Sequence, residues 1–153
     1  MTCAKGFTLI EMMVAIAVAA ILLAIAMPAL DKISANNALK STARDLVSTI
    51  NTGRSQSIST RTDVLVEPAA GGWADGWSIL YDNAAAEENQ DYLPKKGVSV
   101  SRVDSTDSLT FLSRGGLQGG AARFSVCHKD LGRGQTISVS FLGKVTTEVK
   151  EDC

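Results

Sequence analysis

Residues 6–27 read Gly6-Phe7-Thr8-Leu9-Ile10-Glu11 and then MMVAIAVAAILLAIAM, with Pro28 immediately after. From Phe7 to Met27 the run is 21 residues long, holds no Gly, and carries one charge, Glu11. At about 1.5 Å per residue, a helix of that length just crosses a hydrocarbon core of about 30 Å. An ordinary secretory signal fits poorly, because it needs a shorter apolar region that ends in a small-residue cleavage site. Here the Gly and the basic Lys5 come before the apolar run. A plain membrane anchor would account for the hydrophobicity and not for Glu11. A carboxylate inside a bilayer costs roughly 2.5–3.5 kcal/mol even on the lenient insertion scale, so it calls for a partner.

Lys5, Gly6, Phe7, Thr8, Leu9, Ile10 and Glu11 together resemble a class III signal, the N-terminus of type IV pilins and type II secretion pseudopilins. The resemblance implies cleavage between Gly6 and Phe7 by a prepilin peptidase and N-methylation of the new Phe7 amine. It also implies that Glu11 docks on the N-terminal amine of a neighbouring subunit. The N-terminus is then expected on the cytoplasmic side of the inner membrane and the rest in the periplasm, and later in a filament on the cell surface. Residues 1–6 are expected as the leader, 7–28 as the transmembrane and filament-core helix, 29–61 as its amphipathic continuation, and 62–153 as a β-rich globular part.

Composition agrees with one domain plus an anchor. Lys plus Arg is 15 and Asp plus Glu is 16, a formal net charge of −1. No basic excess advertises nucleic acid, though a local basic patch remains open. Of the three cysteines, Cys3 lies in the expected leader, leaving Cys127 and Cys153 on the side where disulfides persist. Joining them would add roughly 3 kcal/mol on the chain-entropy model and would tie down the C-terminal tail. Two free thiols, or bridges to other subunits, are the alternatives.

Pro28 removes one backbone hydrogen bond and bends a helix without necessarily ending it, so the helix is expected to continue to about Ser59. Leu39, Ala43, Leu46, Ile50, Gly53 and Ser57 recur at helical spacing, apolar or small throughout. That stripe predicts one face laid on a sheet, with Gly53 and Ser57 permitting close approach of a strand. The β pattern starts at Val64, Leu65 and Val66, and Pro68 with Gly71-Gly72 is read as its end. Trp77, Ile79 and Tyr81 alternate with Ser78, Leu80 and Asp82 as a strand does. Trp73 and Trp77 read better as core anchors than as a binding surface, since large aromatics mostly supply burial.

Here the resemblance narrows. A helix ending in Arg-Ser-x-Ser (Arg54 to Ser57), followed by a short strand and then by Trp73, Gly76, Trp77 and Asp82 in a W-x-x-G-W-x-x-x-x-D pattern, resembles the GspH/FimT family of minor pilins and pseudopilins. The implied fold class is α+β and pilin-like: a long N-terminal helix packed on antiparallel β-sheet.

Residues 84–94 are acidic and polar and read as a solvated loop. Gly97–Val103 and Ser108–Leu112 read as short strands. The Gly-rich stretch 113–120 is a wide turn and not a phosphate loop, because the Lys-Ser/Thr ending and the strand–helix context are missing. Phe124–Cys127 is a strand. Thr136–Phe141 and Lys144–Val149 alternate on either side of Leu142-Gly143 and read as a hairpin, with Ile137, Val139 and Phe141 on its apolar side.

No catalytic constellation stands out, no cofactor is implied, and the reading is not of an enzyme. His128 is the single His, too few ligands surround it for zinc, and it is read as a surface residue. Two function classes remain. The first is a minor pilin, incorporated near the filament tip to support assembly with major and minor pilins, or its type II secretion counterpart. The second is DNA binding during natural transformation, which the resemblance links to a C-terminal Gly-Arg-x-Arg motif. This chain departs from that motif with Gly143-Lys144-Val145-Thr146. Arg133, Lys144 and Lys150 would be the phosphate contacts, giving salt-sensitive, non-specific binding, among interrupting acids such as Asp130 and Glu148.

Overall fold

The computed structural model describes residues 7–81, 90–105 and 108–153, with the side chains at 25, 26, 28 and 29 set aside. Its architecture is α+β. One helix, α1 (Leu9–Thr60), precedes eight strands: β1 (Val64–Ala69), β2 (Gly72–Leu80), β3 (Gln90–Tyr92), β4 (Val98–Arg102), β5 (Leu109–Phe111), β6 (Ala122–His128), β7 (Arg133–Val139) and β8 (Val145–Lys150). The chain divides into two compact units, 1–34 and 35–153.

The helix starts where its chemistry allows. Thr8 sits before the first helical residue, and its Oγ1 accepts the Glu11 N–H at 3.3 Å. A Thr followed three residues later by Glu is the sequence signature of a capping box. Glu11 is also the one acid of the first turn, where a negative charge suits the helix dipole. At the other end, Thr60 Oγ1 donates to the Gln56 carbonyl at 2.8 Å. Arg61 then turns left-handed at φ 57°, the only non-Gly residue among those described to do so. That is the helix-terminating position where Gly is normally found.

In the first unit, Leu9, Ile10, Ile16, Leu22 and Leu23 are all more than half exposed. Among the described residues, no helix is long and apolar enough to cross a membrane. The expected span, 7–28, includes positions whose side chains lie outside that description.

In the second unit, two four-stranded antiparallel sheets, ordered β3-β2-β1-β5 and β4-β6-β7-β8, enclose the core with the helix. The stripe Leu39, Ala43, Leu46, Ile50, Gly53 and Ser57 is buried throughout. A Cβ on Gly53 would come within 3.1 Å of Val66 Cγ2 and 3.3 Å of Phe111 Cδ2, so the missing side chain lets the first sheet approach the helix. Trp77 is buried, and its Nε1 donates to Thr49 Oγ1 at 2.9 Å, satisfying two buried polar groups at once. Trp73 lies edge-on to Phe124, with ring centroids 4.8 Å apart, so an aromatic of the first sheet meets one of the second.

Four expectations need correction. Pro68 does not end β1; it pairs with Trp77 at a register shift before Ala69. On the other flank β5 covers only Val64 to Val66, so no strand there asks Pro68 for an N–H. The stretch 84–94 is not all loop, because β3 pairs Gln90, Asp91 and Tyr92 with Ile79, Ser78 and Trp77; Asp82 and residues 83–89 lie outside the described residues. His128 is buried, not on the surface. It ends β6 on the inward side shared by Ala122, Phe124 and Val126, and its Nδ1 accepts the Asp130 N–H at 3.2 Å. Phe141 is 63% exposed, because β7 stops at Val139 and the chain has already turned.

Candidate functional site

Two regions hold the residues singled out from sequence. At the start of the helix, Phe7 is 73% exposed and Glu11 lies in the first turn. No other acid or base occurs between Met12 and Leu30. A lone carboxylate on an otherwise apolar helix has no partner within its own segment. Its chemistry suits an amine or another donor brought by a second molecule. Gly6 and the bond to Phe7 include a residue outside those described.

The second region is the C-terminal hairpin. Val139 pairs with Val145 and Gly134 with Lys150, and the turn between the strands spans residues 140–144. Ser140 N–H donates to the Lys144 carbonyl at 2.9 Å, and Gly143 N–H to the Ser140 carbonyl at 2.8 Å. Gly143 has φ 77°, a conformation that favours Gly. Past β8 the chain doubles back, and Cys153 is joined to Cys127 of β6 with Cα atoms 5.8 Å apart. Cys127 pairs with Gly134, and Gly134 in turn with Lys150, so the tail passes over β7 to reach β6. Sequence reasoning missed the residue that permits this. A Cβ on Gly134 would lie within 2.7 Å of Cys153 Sγ. The available signal was a Gly inside a strand, which often marks a close approach.

The three cations named for phosphate contact are not gathered. Arg133 donates through Nη2 to Asn36 Oδ1 at 2.8 Å. Lys150 Nζ donates to Ser125 Oγ at 2.8 Å. Arg133 pairs with the inward-facing His128, whereas Lys150 pairs with Gly134 of the opposite, outer face. Lys144 stands at the far end of the hairpin, about 20 Å along β8 at the usual strand rise. Among the described residues, no group of three or more His, Cys, Asp or Glu could hold a metal ion.

Comparison with known proteins agrees with this architecture. Residues 42–143 match the family described as type II transport protein GspH, and residues 1–27 match the prokaryotic N-terminal methylation motif. No curated protein sequence matches the chain. Among solved structures, the type IV minor pilin FimU of Pseudomonas aeruginosa superposes with a TM-score of 0.61 at 24% identity, covering 77% of this chain and 96% of that one. The minor pseudopilin EpsH from the type 2 secretion system of Vibrio cholerae superposes with a TM-score of 0.55 at 14% identity, covering 72% and 95%. At these identities the likeness to the two structures is one of fold.

Proposed function

The chain belongs to the type II transport protein GspH family and carries the prokaryotic N-terminal methylation motif, and from that premise we propose that it is a minor pilin. In this reading the precursor sits in the inner membrane through residues 7–28. A prepilin peptidase cuts it between Gly6 and Phe7, and the Phe7 amine is methylated. The mature chain enters a type IV pilus near its tip and supports assembly with other major and minor pilins. It is a structural subunit and not an enzyme.

The observation that carries this reading is the contrast within α1. Its first part exposes Leu9, Ile10, Ile16, Leu22 and Leu23 around one carboxylate, Glu11. A soluble monomer rarely exposes so large a contiguous apolar surface, and such surfaces mark membrane or protein contact. Burying the run in lipid and then among neighbouring helices removes that cost, and a neighbour's N-terminal amine gives Glu11 its partner. The second part of α1 carries the folded unit.

Two variants of the full chain, expressed in cells, test the reading. Gly6→Leu is expected to leave an unprocessed precursor, read by mass. Glu11→Ala is expected to be processed and folded yet depleted at least tenfold from purified filaments. Mature mass from the first variant, or normal incorporation of the second, contradicts it. Whether the recipient filament is a pilus or a secretion pseudopilus is read from which major subunit co-purifies. The DNA-binding alternative has no gathered site in Arg133, Lys144 and Lys150. Micromolar, salt-sensitive binding of duplex DNA by the full chain, lost in Lys144→Ala and Arg133→Ala, would restore it.

A further inference from the structure

At one end of the folded unit, three segments meet: the 140–144 turn, the 112–117 loop and the last turns of α1. Phe141 and Leu142 project from the turn at 63% and 60% exposure, and Ile58 of the helix, 48% exposed, lies against Gly115 of the loop. A hairpin turn is where polar residues and Gly are expected. This one holds two large apolar side chains in the open.

The backbone that carries them is tied down. The Phe141 carbonyl accepts the Leu117 N–H at 2.8 Å, and Lys144 N–H donates to Ser140 Oγ at 3.1 Å. Arg54 Nε donates to the Gly115 carbonyl at 3.1 Å. A Cβ on Gly143 would meet both that carbonyl oxygen and Arg54 Cδ at 2.7 Å, and a Cβ on Gly115 would meet Ile58 Cδ1 at 2.6 Å. Turn, loop and helix are therefore packed backbone to side chain with no space for alternatives. With the backbone of the turn already fixed, a partner that covers the apolar pair has only the side chains to order.

The rim of this end is basic. Arg54 and Arg61 come from the end of α1 and the residue after it, Arg114 from the loop and Lys144 from the turn. Among the described residues no carboxylate pairs with Arg61, Arg114 or Lys144. Asp63, two residues past Arg61, accepts the Ser113 N–H at 2.9 Å. Arg61 adds a separate observation. It occupies the left-handed position at φ 57° that Gly would take without cost. A residue kept in a disfavoured conformation points to a use for its side chain.

We infer that this end of the folded unit is a docking surface for another pilin subunit, one that presents an apolar socket for Phe141 and Leu142 inside an acidic rim. The inference rests on the minor-pilin reading and names the contact that reading leaves open. A protein is favoured over nucleic acid because Leu142 and Ile58 offer aliphatic surface at the centre, where protein interfaces place their anchors. Duplex DNA would use the cations and leave that centre unfilled. The rim charges would set encounter rate and selectivity, and the apolar pair the lifetime of the contact.

The test uses the full chain in cells that assemble the filament, with the photoreactive residue p-benzoylphenylalanine replacing Leu142. The expected result is a crosslink to a subunit that itself carries the N-terminal methylation motif, at a peptide of net negative charge. Yield should fall at least tenfold in Phe141→Ser and in the Arg114→Glu, Lys144→Glu pair, with the Cys127–Cys153 bridge intact. Arg61→Gly should also lower the yield, although it relieves the backbone and would strengthen a purely structural residue. A crosslink to nucleic acid, to a basic peptide or to no such subunit overturns the inference, as does a yield indifferent to charge reversal. If incorporation still depends on Glu11 while residue 142 finds no subunit, the inference falls and the minor-pilin reading stands.

Discussion

The two parts of α1 share one backbone and behave as opposites. Leu9 and Leu22 are exposed, whereas Leu39 and Leu46 are buried. The parts differ both in how many apolar residues they hold and in where those residues stand. Before Pro28 they occupy every side of the helix. In the second unit the buried ones on the helix follow the stripe at 39, 43, 46 and 50, which Gly53 and Ser57 continue. A stripe can be covered by the chain's own sheets, and a helix that is apolar all round needs a membrane or other helices. One part of the helix therefore stabilises the fold, and the other, in the proposed reading, meets lipid or neighbouring subunits.

This contrast can be broken by measurement, because both tryptophans lie in the second unit. Trp fluorescence of the full chain in detergent follows the unfolding of that unit alone. Trp77→Ala should have the largest effect, about 3–5 kcal/mol, since it empties a core site and leaves Thr49 without its donor; thermal unfolding in near-UV circular dichroism reads it with Trp73 still present. Cys153→Ser comes next, at about 2–4 kcal/mol from the freed tail. Thr49→Val should cost about 1–3 kcal/mol, because Trp77 Nε1 loses its acceptor in a dry site. Leu22→Ala should change the transition by less than about 0.5 kcal/mol, as surface substitutions do. A large loss in Leu22→Ala, or none in Trp77→Ala, would remove the distinction between the two parts.

How much of this was legible follows the same division. The buried stripe could be read because six positions at helical spacing leave little freedom. The N-terminal signal could be read because a Gly, an aromatic and one carboxylate stand in fixed places around an apolar run. Short or interrupted strands were harder. β3 has three residues, too few to show a period. Pro68 looks like an ending until the neighbouring strand is seen to stop at Val66. Phe141 continues the alternation of Ile137 and Val139, and only the turn hydrogen bonds reveal that the strand has finished. His128 follows Ala122, Phe124 and Val126 at period two, so its burial was available from the pattern. Its position beside Cys127, in a strand read as ending there, concealed it. Arg61 could not be found from sequence, because nothing in its identity announces a left-handed backbone.

The most direct test of the central claim is the amount of Glu11→Ala chain in purified filaments, relative to wild type, with folding of the second unit verified by Trp fluorescence. The account predicts a normally folded chain depleted at least tenfold from the filament. Normal incorporation would mean that the carboxylate in the apolar run does not serve subunit docking, and would contradict the account.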